Sequence, residues 1–149
     1  MEVLSPVTGT SLDVCDVPDP VFASGMVGPG LAIEPRPGLQ TALTPIAGRL
    51  AKLHPHAFLV VSEAGPGVLV HLGIDTVQLH GDGFTLLAGE NDVVSAGQGI
   101  VTWDPGYVSS TGRSAVCAVV VLDCPAPSEP LQRSGSTVTA GDPIFDISC

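Results

Sequence analysis

Short runs of branched apolar residues recur along the chain, and turn residues separate nearly all of them. Runs of this length, bounded by glycine, proline and small polar residues, are typical of strands in an all-β sandwich or barrel. Helix is expected only as single turns, at residues 21–26 and 75–79. The predicted strands comprise residues 31–33, 39–43, 58–61, 68–72, 99–103, 117–122 and 144–147.

Two pairs of distant segments resemble one another. Ser5-Pro6-Val7-Thr8-Gly9 is echoed by Thr44-Pro45-Ile46-Ala47-Gly48. Residues 94–100 and 138–144 share a second pattern, in which a glycine turn after a small residue leads into a new strand. The pairs favour an antiparallel β-sandwich or barrel built from a duplicated hybrid motif with short helical turns.

Composition limits the size and kind of fold. The 149 residues include 18 glycines and 14 prolines, which leave no room for a long uninterrupted helix. A chain of this length can bury one sizeable core without disulfides or metals. We therefore expect a single domain over residues 1–149, with no cofactor required.

The charge and the termini narrow the class of partner. A net charge of −10 with only five Lys and Arg argues against binding nucleic acid or an anionic membrane surface.

The first 14 residues resemble no export signal, and no apolar run could span a bilayer. The cysteines show no C-x-x-C spacing, so reduced thiols and a cytoplasmic location without membrane insertion are expected. The four cysteines are Cys15, Cys117, Cys124 and Cys149.

Three of the four histidines cluster around two neighbouring predicted strands. His54 and His56 flank Pro55, and His71 lies near the end of the apolar run at residues 68–72. A buried imidazole is costly unless its nitrogens find partners or it performs chemistry. Two such residues near the carboxylate of Asp75 favour a functional site over a structural histidine.

Two chemistries fit this set. The pattern H-x-x-x-D with H-x-H nearby resembles zinc ligands, and His56 and His71 are candidate adventitious or regulatory zinc ligands. The same groups suit phosphoryl relay, in which one imidazole attacks phosphorus and a second donates to the phosphoryl oxygens. A nearby carboxylate would then repel the phosphate and keep it ready for transfer. Spacing alone leaves both readings open.

Three stretches of the chain resemble the glucose-type enzyme IIA family of the sugar phosphotransferase system. The middle stretch joins the strand-end histidine to a Gly-Ile-Asp-Thr turn and a Gly-Asp-Gly-Phe turn at fixed spacing, which makes it specific. The stretches are residues 17–23 continuing through 26–35, residues 70–77 continuing through 79 and 81–84, and residues 134–136 with Val138, Gly141 and Asp142.

This resemblance implies a β-sandwich that accepts phosphate from phospho-HPr on His71 and passes it to a sugar-specific IIB domain, of glucose or N-acetylglucosamine type. His56 matches the second histidine of the family, which stabilises the phosphoryl group, and Asp75 is the nearby carboxylate. Partner docking is expected to use apolar residues around the histidines, with Phe22, Met26 and Val27 as candidates. No metal is required for this chemistry.

The chain departs from the family just before His56. Family members usually read Phe-Pro-Thr-x-His-Ala there, whereas this segment is about two residues shorter and lacks the threonine. His54 is either a substitute in the relay role that the threonine fills or an exposed loop histidine, and the adjacent Pro55 favours exposure. His80 matches no functional position and is expected on the surface.

Two other functions remain as alternatives. A zinc hydrolase of the lysostaphin-type endopeptidase class uses related elements, but there H-x-H follows H-x-x-x-D, the reverse of the order found here. A regulatory binding module, which selects a permease or kinase according to His71 phosphorylation, would use the same surface as the carrier.

Overall fold

The computed structural model describes residues 1–23, 29–123 and 135–147, which are almost entirely strands and turns. Two short helices occur in this part, α1 (Pro20–Ala23) and α2 (Pro105–Ser110), together with 3-10 helices at Val14–Asp16 and Thr76–Leu79. The strands are β1 (Glu2–Leu4), β2 (Gly9–Asp13), β3 (Gly30–Pro35), β4 (Gln40–Leu43), β5 (Gly48–His54), β6 (Ala57–Val61), β7 (Gly67–Leu72), β8 (Phe84–Leu86), β9 (Val93–Val94), β10 (Gly99–Trp103), β11 (Cys117–Leu122), β12 (Thr137–Val138) and β13 (Pro143–Asp146).

The strands form three antiparallel sheets. The largest has eight strands in the order β12-β2-β3-β11-β7-β6-β5-β9. A three-stranded sheet has the order β4-β10-β8, and β1 pairs with β13. Large side chains fill the space between the sheets, among them the fully buried Trp103, Phe58 and Ile46. The arrangement is the expected antiparallel sandwich, and the described residues do not close into a barrel.

The seven strands expected from the apolar runs are confirmed. Each coincides with an observed strand, and their ends differ by at most two residues. The 3-10 helix Thr76–Leu79 confirms one helical turn, and α1 confirms the beginning of the other, whose later residues lie outside the described part. Cys15 and Cys117 are free thiols, as expected, whereas Cys124 and Cys149 lie outside the described residues.

Several elements escaped the apolar pattern. Strand β5 includes Arg49 and Lys52 among its seven residues, so no apolar run marks it. Five further strands, β1, β2, β8, β9 and β12, are only two to five residues long, and all but the two-residue β9 carry mixed polarity. Helix α2 begins at a proline, and the side chain of Asp104 caps it by accepting from the amide of Gly106 at 2.8 Å.

The first sequence echo is a true structural repeat. The hydroxyl of Ser5 donates to the carbonyl of Val7 at 2.6 Å, and the hydroxyl of Thr44 donates to the carbonyl of Ile46 at the same distance. The two copies also bond to each other reciprocally, because the amides of residues 4 and 43 donate to the carbonyls of residues 45 and 6, both at 2.9 Å. This exchange is what a pseudo-twofold axis between the copies produces.

The second echo completes the repeat. The amide of Gly141 donates to the carbonyl of Ser5 at 2.8 Å, and the amide of Gly97 donates to the carbonyl of Thr44 at 2.9 Å. Both glycines have positive φ, +96° and +83°, as the tight turn requires. Each glycine turn therefore hydrogen-bonds to the backbone of a buried hydroxyl residue, Ser5 or Thr44, in one copy of the first repeat.

No helix among the described residues is long and apolar enough to cross a membrane.

The duplication predicts a matched pair of stability losses. Ser5→Ala and Thr44→Val each leave a buried carbonyl without its donor, which costs about 1–3 kcal/mol. Chemical denaturation should show a similar decrease in the free energy of unfolding for both variants, with the exposed Ser95→Ala as control. A large loss for one variant and none for the other would contradict structural equivalence of the copies.

Candidate functional site

His71 lies in the middle of the large sheet, near the end of β7. It pairs across the sheet with Ala57 of β6 and Ala118 of β11. Both neighbours are small and buried, so they leave room for the imidazole on the outer face of the sheet. A second apolar cluster covers this face beside the histidine and includes Phe22, Val116 and Ile74.

The His71 ring is held by the turn that follows its own strand. Its Nδ1 lies 2.6 Å from the carbonyl oxygen of Gly73. Since a carbonyl only accepts, Nδ1 carries the hydrogen, and Nε2 bears the free lone pair in the neutral ring. The contact therefore selects one tautomer, in which Nε2 is the nitrogen that faces outward from this hydrogen bond with a free lone pair.

Gly73 can deliver this carbonyl because it has no side chain. Its φ is +79°, and a Cβ there would lie 2.5 Å from Cγ2 of Thr76 and 3.1 Å from the carbonyl oxygen of Ser114. The amide of Gly73 donates to the carbonyl of Val116 at 3.0 Å, and the hydroxyl of Thr76 donates to the carbonyl of Leu72 at 2.7 Å. The turn is thus fixed on both sides of the carbonyl that holds His71.

His56 comes to His71 from the β5–β6 hairpin. Its carbonyl accepts from the amide of Leu72 at 2.7 Å, which joins its backbone to β7. The two rings have centroids 5.3 Å apart and meet edge to face at 74°. The sequence clusters His54 and His56 with His71 around two neighbouring predicted strands, and the pairing of β6 with β7 brings the His56 ring to His71.

His54 lies on the far side of His56. The two rings are stacked, with centroids 5.7 Å apart and planes 28° apart. The residues do not share one face of an extended strand, because Pro55 and His56 form the turn of the hairpin. His54 is exposed, and His56 makes ring contacts with both His54 and His71.

The negative charges of the site come from two loops. Asp75 is exposed, has φ of +59° and precedes the 3-10 helix Thr76–Leu79. Asp19 accepts from the amide of Val21 at 2.9 Å at the start of α1. Sequence reasoning did not single out Asp19 or Gly73, although both belong to the stretches that carry the family resemblance.

The environment keeps both central histidines neutral. Burial, with smaller effects from His71 and His54, lowers the pKa of His56 to about 4. Burial also lowers the pKa of His71 below the ordinary 6.5, while the Gly73 carbonyl and the carboxylates Asp19 and Asp75 oppose this shift. At neutral pH the pair can therefore offer one lone pair and one N–H to a ligand.

The predicted docking residues are only partly described. The ring of Phe22 lies 5.3 Å from that of His71 and is 7% exposed, so it forms a wall of the site. Its neighbour Val21 and the nearby Val77 are 49% and 59% exposed. Met26 and Val27 lie outside the described residues, and partner contact by all three candidates stays a prediction.

The histidines do not form a three-ligand metal set. Histidine, cysteine, aspartate and glutamate are the side chains that could hold a metal ion. Among the described residues, the ligand atoms of three such side chains come within 4.8 Å of one another only at Asp13, Cys15 and Asp16, which are exposed. His56 and His71 would therefore offer a metal ion only two nitrogen ligands.

Comparison with known proteins identifies a family for this arrangement. Residues 1–125 match the family model described as phosphoenolpyruvate-dependent sugar phosphotransferase system, EIIA 1. The chain is 40% identical over 123 residues to the glucose-specific EIIA component of Halalkalibacterium halodurans, which covers 81% of this chain and 70% of the relative.

Two further relatives extend the match. The chain is 37% identical over 149 residues to the N-acetylglucosamine-specific EIICBA component of Escherichia coli, covering 98% of this chain and 23% of that protein. The solved glucose permease IIA from Mycoplasma capricolum superposes with a TM-score of 0.88 at 30% identity, over 99% of this chain and 94% of that one. These matches give the zinc-hydrolase alternative no support. The chain therefore belongs to the EIIA 1 family of the phosphoenolpyruvate-dependent sugar phosphotransferase system, and it is a glucose-type EIIA component of that system.

Proposed function

We propose that this protein carries a phosphoryl group on Nε2 of His71, which it accepts from a phosphorylated partner and passes to a second one. The observation that carries this proposal is the 2.6 Å contact between Nδ1 of His71 and the Gly73 carbonyl. It leaves Nε2 as the free nucleophile of a neutral imidazole with a second imidazole beside it.

The transfer needs no proton to move. The Nε2 lone pair forms the new nitrogen–phosphorus bond while the bond between phosphorus and the donor breaks. Nδ1 keeps its hydrogen throughout, so the phosphorylated ring becomes a cation paired with the negative phosphoryl group. The Gly73 carbonyl, Asp19 and Asp75 favour positive charge on this ring, as their upward effect on the His71 pKa indicates.

His56 supplies the counterpart for the phosphoryl oxygens. A neutral imidazole can donate one N–H, and the His56 ring, 5.3 Å from the His71 ring, is close enough to donate to a group attached to that residue. The carboxylate of Asp75, in contrast, destabilises the bound phosphoryl group, because the two negative charges repel each other. The balance favours a nitrogen–phosphorus bond that forms readily and from which the phosphoryl group is readily transferred.

The partners follow from the family. We propose HPr as the donor and a IIB domain of a glucose- or N-acetylglucosamine-type permease as the acceptor. The Escherichia coli relative is named an EIICBA component, which supports a IIB partner. In this proposal the 149 residues act as one EIIA domain in the cytoplasm, with Val21, Phe22 and Val77 at the docking surface. Regulatory binding of permeases or kinases stays a prediction.

Replacement of His71 tests the assignment of the nucleophile. In the presence of phosphoenolpyruvate, enzyme I and HPr, the protein should acquire an acid-labile, base-stable phosphate, and His71→Ala should abolish it. His80→Asn is the matched control, because His80 is exposed and asparagine tolerates its φ of +52°. Normal labelling of His71→Ala would refute the assignment.

Gly73 offers a test of the turn that orients the nucleophile. In Gly73→Ala the new methyl group meets Thr76 and Ser114 at a backbone conformation that already disfavours alanine. We expect a loss of about 1–3 kcal/mol in the free energy of unfolding and slower phosphoryl acceptance. Gly112→Ala is the control, since its φ is +84° but nothing lies within 4 Å of the added methyl group. Equal losses in both variants would show that the close contact at Gly73 is unimportant.

The charge state of the histidine pair can be measured by NMR titration. The His56 ring should titrate with a midpoint near pH 4, and His71 should titrate below 6.5. Phosphoryl acceptance should consequently persist as the pH falls through 6.5, where an ordinary imidazole loses half its neutral form. After phosphorylation, the added negative charge should raise the His56 midpoint. A His56 midpoint near 6.5 in the unmodified protein would contradict this account.

A further inference from the structure

We infer that His54 is a positioning residue for phosphoryl transfer, whose ring holds the His56 ring at its angle to His71. This inference rests on the proposed function, because it assigns a task to His54 only if His56 serves a phosphoryl group on His71. It differs from a hydrogen-bond relay, since the contact observed between His54 and His56 is a stack of rings.

The orientation of His56 has two separate determinants. Its backbone is fixed, because its carbonyl accepts from the amide of Leu72 and the adjacent Ala57 pairs with His71. Its side chain is half-buried, and within the described part of the chain its ring nitrogens make no hydrogen bond. The ring contacts with His54 and His71 therefore set the angle of this imidazole.

The contact with His54 has the geometry of a favourable aromatic pair. Offset-stacked rings are attractive at centroid separations of about 4.5–7 Å, and the two rings lie 5.7 Å apart with planes 28° apart. One face of the His56 ring is thereby covered by His54, and the His56 and His71 rings meet edge to face at 74°. Rotation of His56 about its side-chain bonds would break the stack.

The hairpin presents His54 with little freedom. Pro55 fixes its own φ and restricts the preceding residue to extended backbone. His54 is the last residue of β5 and pairs in register with Ala57, so the turn between them contains only Pro55 and His56. The pyrrolidine ring of Pro55 lies beside Gly81. The stack thus rests on a short, rigid turn rather than on a mobile loop.

His54 is also well placed to be tested, because it is exposed and belongs to neither apolar cluster. Its removal should leave folding unchanged. His71 acts electrostatically on His56, Asp19 and Asp75 act on His71, and the carboxylate of Glu90 accepts from the amide of Leu53 next to His54. All of these groups remain in the variants below.

The experiment compares two substitutions that distinguish the effect of ring stacking from the effect of the ring nitrogens. His54→Ala removes the stack, whereas His54→Phe keeps a ring and removes the N–H. With purified phospho-HPr as donor, we expect His54→Ala to lower kcat for phosphoryl acceptance about two- to tenfold with KM unchanged. His54→Phe should remain within about twofold of the parent protein, and His80→Asn, the loss of an exposed histidine elsewhere, should have no effect.

A second readout is independent of phosphorylation. In the unmodified protein, the NMR signals of the His56 ring should shift in His54→Ala and stay close to the parent values in His54→Phe, while the free energy of unfolding is unchanged in both. A parent-like kcat in His54→Ala would overturn the inference. So would a His54→Phe variant as slow as His54→Ala, because the nitrogens would then matter and not the ring.

The two levels of the account fail in different ways. If His71→Ala still accepts phosphate, the proposed function is wrong. If His71→Ala accepts none and His54→Ala accepts it at the parent rate, the carrier assignment stands and only the role of His54 is wrong.

Discussion

The hydrogen bond from Nδ1 of His71 to the carbonyl of Gly73 is the interaction on which the site depends. It selects the tautomer in which Nδ1 carries the hydrogen, so in the proposed transfer Nε2 is the nucleophile and Nδ1 keeps its hydrogen when positive charge develops on the ring. The bond exists only because residue 73 lacks a side chain and adopts φ of +79°. Thr76 bonds the turn from within, and the carbonyls of Ser114 and Val116 hold it from a second segment of the chain, so two segments cooperate to orient one imidazole.

The sandwich supplies the rigidity that such a small apparatus needs. His71 lies on an inner strand of an eight-stranded sheet, between two alanines that leave space for its ring. The duplicated turns lock the chain far from the site through buried hydroxyl groups at Ser5 and Thr44. Phosphoryl transfer asks a protein mainly for position and charge. A sheet with fixed register provides the first, and the carboxylates of Asp19 and Asp75, which favour positive charge on the His71 ring, contribute to the second.

The sequence predicted the parts of this structure that have a periodic or local signature. Apolar runs located strands such as Cys117–Leu122, and the echo of Ser5 in Thr44 predicted the repeat. Strand β5 escaped because Arg49 and Lys52 interrupt its apolar pattern. Asp19 escaped as a member of the site because it reaches His71 through the tertiary fold, across about fifty residues of sequence. The stacking of His54 on His56 depends on a two-residue turn, which the H-P-H spacing could not distinguish from a bent strand.

The central claim is that the phosphoryl group is attached to Nε2 of His71 while Nδ1 keeps its hydrogen. The most direct measurement is NMR of the phosphorylated, nitrogen-15-labelled protein, in which coupling to phosphorus identifies the bonded nitrogen. The account predicts phosphorus coupling at Nε2 of His71 and a hydrogen-bonded N–H at Nδ1 of the same ring. Coupling at Nδ1, or on any other residue, would contradict it.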